Sequence, residues 1–349
     1  MDTLIDSVNS KIPPENGAPA PKKTLLLTRS VVEHLLTLDE CHAAVEDAFR
    51  RHATGMAGAP GVLGIHVEGG GFHIKAAALA LERLYFAAKL NANFPMNGPR
   101  HGIPTIQGVL ALFDASDGTP LAVMDSMAIT ALRTASATAV AAKYLARQHC
   151  DTALICGCGT QAPAQLRALC AVRQPRRIFA YDQSAEKAAA LAGRMSAVLL
   201  IPVMPVAVIA DAVAVSDIVI TCTTARRFFI ERAMVKPGTF IAAVGADNEE
   251  KQEIDPLLLA HVTVVADLIE QCAVIGDLHH AVAAGLMTRG DVHAELGEII
   301  AGIKPGRTRD DEIIVFDSCG TALQDVAAAA ATYRHALKQH QGVHFSFDA

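Results

Sequence analysis

The sequence predicts an α/β protein, with a doubly wound parallel sheet over roughly residues 128–315 and a smaller α+β unit made of residues 24–127 and 316–349. Three observations predict it. From about residue 151, the short apolar runs "TALIC", "RIFAY", "DIVIT", "TFIAA", "VTVVA" and "IIVFD" recur at helix-length intervals and are rich in β-branched residues. Most of the segments between them, such as 160–173 and 184–196, carry the Ala/Leu spacing of amphipathic helices, as expected for a parallel sheet covered on both faces. Residues 24–127 read differently. They hold many glycines in "GMAGAPGVLGIHVEGGGF" and the extended runs "IQGVLALFD" and "PLAVMD" joined at the turn "ASDG", which suggests a mixed or antiparallel sheet.

The elements follow in chain order. Residues 1–23, "MDTLIDSVNSKIPPENGAPAPKK", lack the basic-then-apolar order of a signal peptide and carry Pro13, Pro14, Pro19 and Pro21, so they read as a loose tail. An Ala-rich helix is expected over 128–147. The longest apolar run, "AVLLIPVMPVAVIA" from Ala197 to Ala210, is shorter than the about 20 residues a bilayer span needs and is interrupted by Pro202 and Pro205; it reads as a buried strand. The final stretch "GTALQDVAAAAATYRHALKQH" reads as a helix that leaves the second domain and returns to pack on the first.

Composition narrows the classes. A chain of 349 residues accommodates two domains at roughly 100 to 200 residues each. Hydrophobic residues make up 51% and charged ones 19%, with no Trp, which describes an Ala/Val/Leu-rich α/β enzyme and excludes a disordered or fibrous chain. The formal charge of -6 and the lack of Lys/Arg runs interleaved with aromatics exclude a nucleic-acid face. Eight cysteines without CxxC pairs or metal-ligand spacing read as reduced thiols in a cytoplasmic protein.

Chemistry enters at "TALICGCGTQAPAQLRAL". Gly157, Gly159 and Ala162 follow a strand and open a helix, the context of a GxGxxA dinucleotide fingerprint: Gly157 for the tight turn, Gly159 for close approach to a pyrophosphate, and free helix N–H groups for the anion. The next run, "RIFAYD", ends on Asp182, where a carboxylate accepts hydrogen bonds from ribose hydroxyls. Gln183 and Ser184 follow in place of an arginine, which favours NAD over NADP. The expectation is a Rossmann domain with NAD as cofactor. A second stretch, "FIAAVGADNEEKQEID", runs from a strand directly into Gly245 and Asp247, with Lys251 four residues later; alone, it is a strand followed by a polar turn.

The stretches "KLNANFPMN", "GIPTIQGVLALFDASDGTPLAVMDS", "ITALRTASATAVAAKYLA", "GCGTQA", "AAVGAD" and "VFDSCGTALQD" together resemble the ornithine cyclodeaminase and mu-crystallin family, which includes an alanine dehydrogenase class and several imino-acid reductases. The resemblance covers about residues 60–335. It implies a homodimer whose subunit has a central Rossmann domain, a substrate and dimerisation domain, and an active site in the cleft between them. It also implies that Lys89 and Arg133 hold a substrate carboxylate, with Arg133 near the cofactor. It places Thr105, Thr160, Gln161, Thr223, Val244, Gly245, Lys251 and Ser318 against the dinucleotide and Cys319 beside the substrate. Asp247 becomes an acid/base at the substrate amine. Without the resemblance, Lys89 is as well read as a snorkelling surface lysine and Arg133 as a solvent-facing residue of its helix.

Departures from the family pattern discriminate among its branches. Ketimine reductases like mu-crystallin lack an acid at Asp247. Cyclodeaminases carry an acid and a methionine where this chain, in "GFHIKAAAL", has His73 and Lys75. A cation there argues against a diamino acid and makes Lys75 a candidate second clamp on a carboxylate, or else an exposed strand residue. The pair His279 and His280 does not suggest a metal, because adjacent helical residues point about 100° apart. The leading expectation is an NAD-dependent oxidoreductase interconverting an α-imino acid and an L-amino acid, with Asp247 and Lys89 as the catalytic pair. The alternatives are a cyclodeaminase that uses NAD catalytically to turn ornithine into proline, and a binding protein that has kept the fold.

Overall fold

The computed structural model of the chain describes residues 23–347, so the tail read over 1–23 lies, Lys23 apart, outside the described residues. The chain divides into two compact units. One takes the described residues up to Arg133 and those from Thr321 onward; the other is Thr134–Gly320. The division falls a few residues later at each boundary than the sequence suggested; at the first, the helix expected over 128–147 is Ser126–Leu145 and contributes its first two turns to the first unit.

The first unit is built on one mixed sheet. In chain order its strands are β1 (Thr24–Leu27), β2 (Gly61–Val67), β3 (Gly70–Ala80), β4 (Leu84–Asn93), β5 (Ile106–Asp114) and β6 (Pro120–Asp125). The sheet order is Val343–Phe345, β1, β6, β5, β4, β3, β2, with β1 and β6 parallel and every other pair antiparallel. Two-residue periodicity sets one face of β3 and β4 inward. Leu79 pairs with Tyr85, Ala77 with Ala87 and Lys75 with Lys89, and all six are buried. The helix Ala322–Lys338, capped by Thr321, packs on β3 and β4 and on the helix Leu38–Ala53, which starts with a Thr37/Glu40 capping box. Its unbroken alanine run is fully buried, so it approaches the strands closely.

The second unit holds ten strands: β7 (Thr152–Cys156), β8 (Arg177–Tyr181), β9 (Val203–Pro205), β10 (Ile218–Thr221), β11 (Arg226–Ile230), β12 (Phe240–Ala243), β13 (Gln252–Ile254), β14 (Thr263–Ala266), β15 (Ala294–Glu295) and β16 (Ile314–Asp317). Eight form one parallel sheet in the order β15-β14-β16-β12-β10-β7-β8-β9, and β11 pairs with β13. The six apolar runs are the six central strands, with Leu154, Val219, Ile241, Val264 and Val315 in one core cluster. The chain reverses its direction of winding between β7 and β10, which is where a doubly wound sheet opens a crevice at the carboxyl ends of its strands.

Ala197–Ala210 is not a buried strand: the helix Ala185–Leu199 takes its start, only β9 is extended, and Leu200 is 88% exposed. Pro202 and Pro205 cannot donate to a ladder, so the segment can serve only as a short sheet edge.

Candidate functional site

Lys75, Lys89 and Arg133 are 7%, 3% and 5% exposed, so they are neither surface nor solvent-facing residues as their local sequence allowed. Both nearby anchors come from the C-terminal helix. Asp325, in its first turn, receives Lys89 Nζ at 2.8 Å on Oδ1 and 2.7 Å on Oδ2, and Arg133 Nε at 2.9 Å on Oδ1. Arg133 Nη1 donates to Gln324 Oε1 at 2.8 Å, which fixes the amide so that Nε2 is the free end; this buried Nε2 has no partner. Burial, then the Arg133 charge, lower the Lys89 ammonium to about 7, against the pull of Asp325. Burial pushes the Asp325 carboxyl up, but the Lys89 and Arg133 charges outweigh it and hold it below the usual carboxylate range. Lys89 has three donors and Arg133 five, so both keep N–H groups for a further acid. His73, half-buried, sits two residues before Lys75 on β3. Thr105 is exposed just ahead of β5, and its carbonyl accepts from Phe94 N at 2.8 Å.

In the second unit, the turn after β7 has the shape the glycines demand. Gly157 has φ +94°, and a Cβ there would lie 2.8 Å from Cys222 O, whereas a Cβ on Gly159 would meet open space. Thr160 is exposed beside it, and Gln161, preceding the helix Ala162–Val172, has a buried Oε1 with no partner. Asp182 accepts from Cys158 N at 2.8 Å on one oxygen and from Ser184 N at 2.9 Å on the other, so its carboxylate is oriented while each oxygen keeps a lone pair. Burial, then the Asp182 charge, push the Cys158 thiol up to about 12, which leaves it an inert neighbour.

The loops after β10 and β12 converge on a residue that sequence reasoning missed. Glu253 accepts from Thr221 Oγ1 (2.6 Å), Thr223 Oγ1 (2.6 Å), Thr223 N (2.7 Å) and Gly245 N (2.9 Å). Val244 N donates to Thr221 O at 2.9 Å. Behind Glu253, Asp277 Oδ1 accepts from Glu253 N and Ile254 N, and Asp317 accepts from Asp277 N and Leu278 N. Burial raises all three carboxyls, Asp317 to about 7. Asp247 lies exposed past the end of β12, where its Oδ1 meets Lys251 Nζ at 2.6 Å; His280 Nε2 holds the Lys251 carbonyl at 2.8 Å. The lysine four residues on is therefore the acid's ion-pair partner.

Ser318 donates to Asp267 Oδ2 at 3.0 Å, and Cys319 Sγ lies 3.5 Å from Cys272 Sγ. Asp267, Cys272 and Cys319 bring possible metal ligands together, but the Asp267 oxygens already accept from Leu268 N, Ser318 Oγ and Gly320 N.

Residues 22–340 match the family model described as ornithine cyclodeaminase/mu-crystallin. The chain is 38% identical over 328 residues to an alanine dehydrogenase of Archaeoglobus fulgidus, covering 93% of this chain and 99% of the relative. Among solved structures, it is similar to an archaeal alanine dehydrogenase dimer with bound NAD (TM-score 0.88, 38% identity, 93% of this chain and 99% of that one). It is also similar to the Thermococcus litoralis Delta(1)-pyrroline-2-carboxylate reductase in complex with NADH and L-proline (TM-score 0.86, 35% identity, 92% and 99%).

Proposed function

The chain belongs to the ornithine cyclodeaminase/mu-crystallin family, and on that premise we propose how it works: it is an NAD-dependent oxidoreductase that interconverts an α-imino acid, or a 2-oxo acid plus ammonia, and an L-amino acid at Cα. The observation that carries the reading is the buried Lys89–Arg133 pair anchored on Asp325, a site for a substrate carboxylate. Bound NAD(H) supplies the hydride donor or acceptor. The glycine turn at Gly157 and Gly159, with Thr160 and Gln161, holds the pyrophosphate. Asp182 takes the ribose hydroxyls and, being anionic, disfavours a 2′-phosphate. Thr105, Thr223, Val244, Gly245, Lys251 and Ser318 complete the cofactor contacts, and Cys319 lies on the substrate side.

Lys89 and Arg133 clamp the α-carboxylate, and Gln324 Nε2 adds a donor. Asp247 delivers a proton to the substrate nitrogen, or takes one from it, and its Oδ1 pairs with Lys251 Nζ at 2.6 Å. Lys75, opposite Lys89 and buried, adds positive charge where a diamino acid would bring its own cation, which supports this reading over the cyclodeaminase alternative. The relatives point the same way: the matches above are a dehydrogenase and a reductase.

A homodimer is supported by the archaeal relative's dimer and by the apolar edge strand β2, where Val62, Leu63, Ile65 and Val67 are 41% to 54% exposed. A cytoplasmic setting is supported by eight cysteines of which none is disulfide-bonded. Among the described residues no helix is long and apolar enough to cross a membrane. The test is NADH oxidation with a panel of cyclic imines and of 2-oxo acids with ammonia. Turnover with one class supports the reading, and no turnover with any of them removes it.

A further inference from the structure

We propose that Glu253 is a positioning residue for the dinucleotide: one buried carboxylate staples the loop after β10 to the loop after β12 and so sets the spacing of the two walls that receive the cofactor. The proposal deepens the reading above and rests on it, since it takes these loops to be cofactor walls.

The geometry is that of a clamp. One oxygen, Oε1, takes both the amide and the hydroxyl of Thr223, and the other, Oε2, takes the hydroxyl of Thr221 and the amide of Gly245. The four donors come from two neighbouring parallel strands, β10 and β12, at their carboxyl ends. Thr223 Oγ1 also accepts from Ala225 N at 3.1 Å, so the polar atoms of that side chain are spent inside the protein. What Thr223 has left to offer a dinucleotide is its carbonyl oxygen and its methyl group, and their height depends on the carboxylate behind them. Gly245 fits the same account: a Cβ there would meet the Glu253 carboxyl, with its nearest atoms at 2.5 Å, so the glycine lets the loop close onto the clamp. Thr223 also lies close to the other wall: a Cβ added at Gly157 in the fingerprint turn would come within 2.9 Å of its Cγ2.

Glu253 is itself held from behind. Asp277 Oδ1 receives Glu253 N at 2.7 Å and Ile254 N at 2.9 Å, and Asp277 N and Leu278 N donate to Asp317 at the end of β16. A carboxylate with four donors and a fixed backbone cannot follow a loop that moves; it imposes its own spacing. A glutamine in its place keeps the size but turns an N–H₂ toward two N–H or O–H donors, which leaves buried donors facing one another.

The experiment measures NADH binding by fluorescence titration, with kcat, KM and melting temperature alongside, for the wild type, Glu253→Gln and Thr221→Val. Thr221 carries no role in binding or chemistry here; Thr221→Val keeps the backbone carbonyl that accepts from Val244 N, and the hydroxyl it removes touches the proposed site only through Glu253. The expected result is an NADH Kd raised about tenfold in Glu253→Gln and about threefold in Thr221→Val. The rise should appear in KM for NADH, with kcat at saturating NADH changing less. If Glu253→Gln does not fold, Thr221→Val decides. Wild-type Kd in the folded variants, or a lowered melting temperature in Thr221→Val with unchanged Kd, overturns the positioning role. If the wild type itself does not bind NADH, the functional reading fails, and the proposal fails with it; the wild-type titration tells the two failures apart.

Discussion

Lys89 and Asp325 lie 236 residues apart in the chain and meet as a buried ion pair at 2.7 Å. Arg133 shares the same carboxylate, so Asp325 compensates two buried cations at once. Replacing Asp325 with Asn should destabilise the first unit by about 3–5 kcal/mol, because it leaves those cations uncompensated. Adding Lys89→Met to that variant should restore part of the loss. Denaturant unfolding of the single and double variants checks both, and a neutral Asp325→Asn variant would remove the compensation argument.

Lys89 also sets a pH dependence. With its ammonium lowered to about 7 in the free protein, the protonated form, proposed above to bind the substrate carboxylate, is lost above that pH. The expected kcat/KM profile falls on its alkaline side from about pH 7, and Lys89→Arg, which stays charged, should lose that limb. For stability the sign is opposite. Between about 7 and the ordinary lysine value the unfolded chain binds a proton that the folded chain does not, so this group's contribution makes stability rise with pH across that window.

Asp317 gives the mirror case. Burial raises its carboxyl to about 7, so between the ordinary aspartate value and about 7 the folded chain holds a proton the unfolded chain has released. Stability should fall as pH rises through that window, with a slope approaching roughly 1.4 kcal/mol per pH unit, and Asp317→Asn should flatten it. Thermal melts at several pH values check this.

The two fingerprint glycines should separate stability from binding. Gly157→Ala forces a Cβ into a positive-φ turn against Cys222 O and should cost about 1–3 kcal/mol. Gly159→Ala meets open space, so it should leave the melting temperature unchanged and weaken NADH binding.

Cofactor choice should rest on Asp182. Asp182→Ala with Gln183→Arg should raise kcat/KM with NADPH relative to NADH by roughly 10- to 100-fold. An unchanged ratio would remove Asp182 from cofactor selection.

Most of the second unit was legible because a parallel strand buried on both faces leaves a continuous apolar run, and six such runs became six strands. Ala197–Ala210 misled because apolar content alone does not reveal that two prolines confine it to an edge. Lys89 and Arg133 were singled out through the family motifs; their burial was not legible in their own surroundings, since it depends on an acid far along the chain. Asp325 stood inside a quoted motif, yet its role depends on a helix returning across the first unit. Glu253 was missed for a plainer reason: in "NEEKQEID" it reads as one more surface acid, and only the pairing of β11 with β13 carries it under the two loops.

Net hydride transfer to an imino acid is read out by following NADH absorbance and ammonia together. One arm holds NADH with cyclic imines or 2-oxo acids plus ammonia; the other holds ornithine with trace NAD. The expected result is stoichiometric NADH loss with one imine class and no ammonia from ornithine. Ammonia released from ornithine without net change in NADH would contradict it.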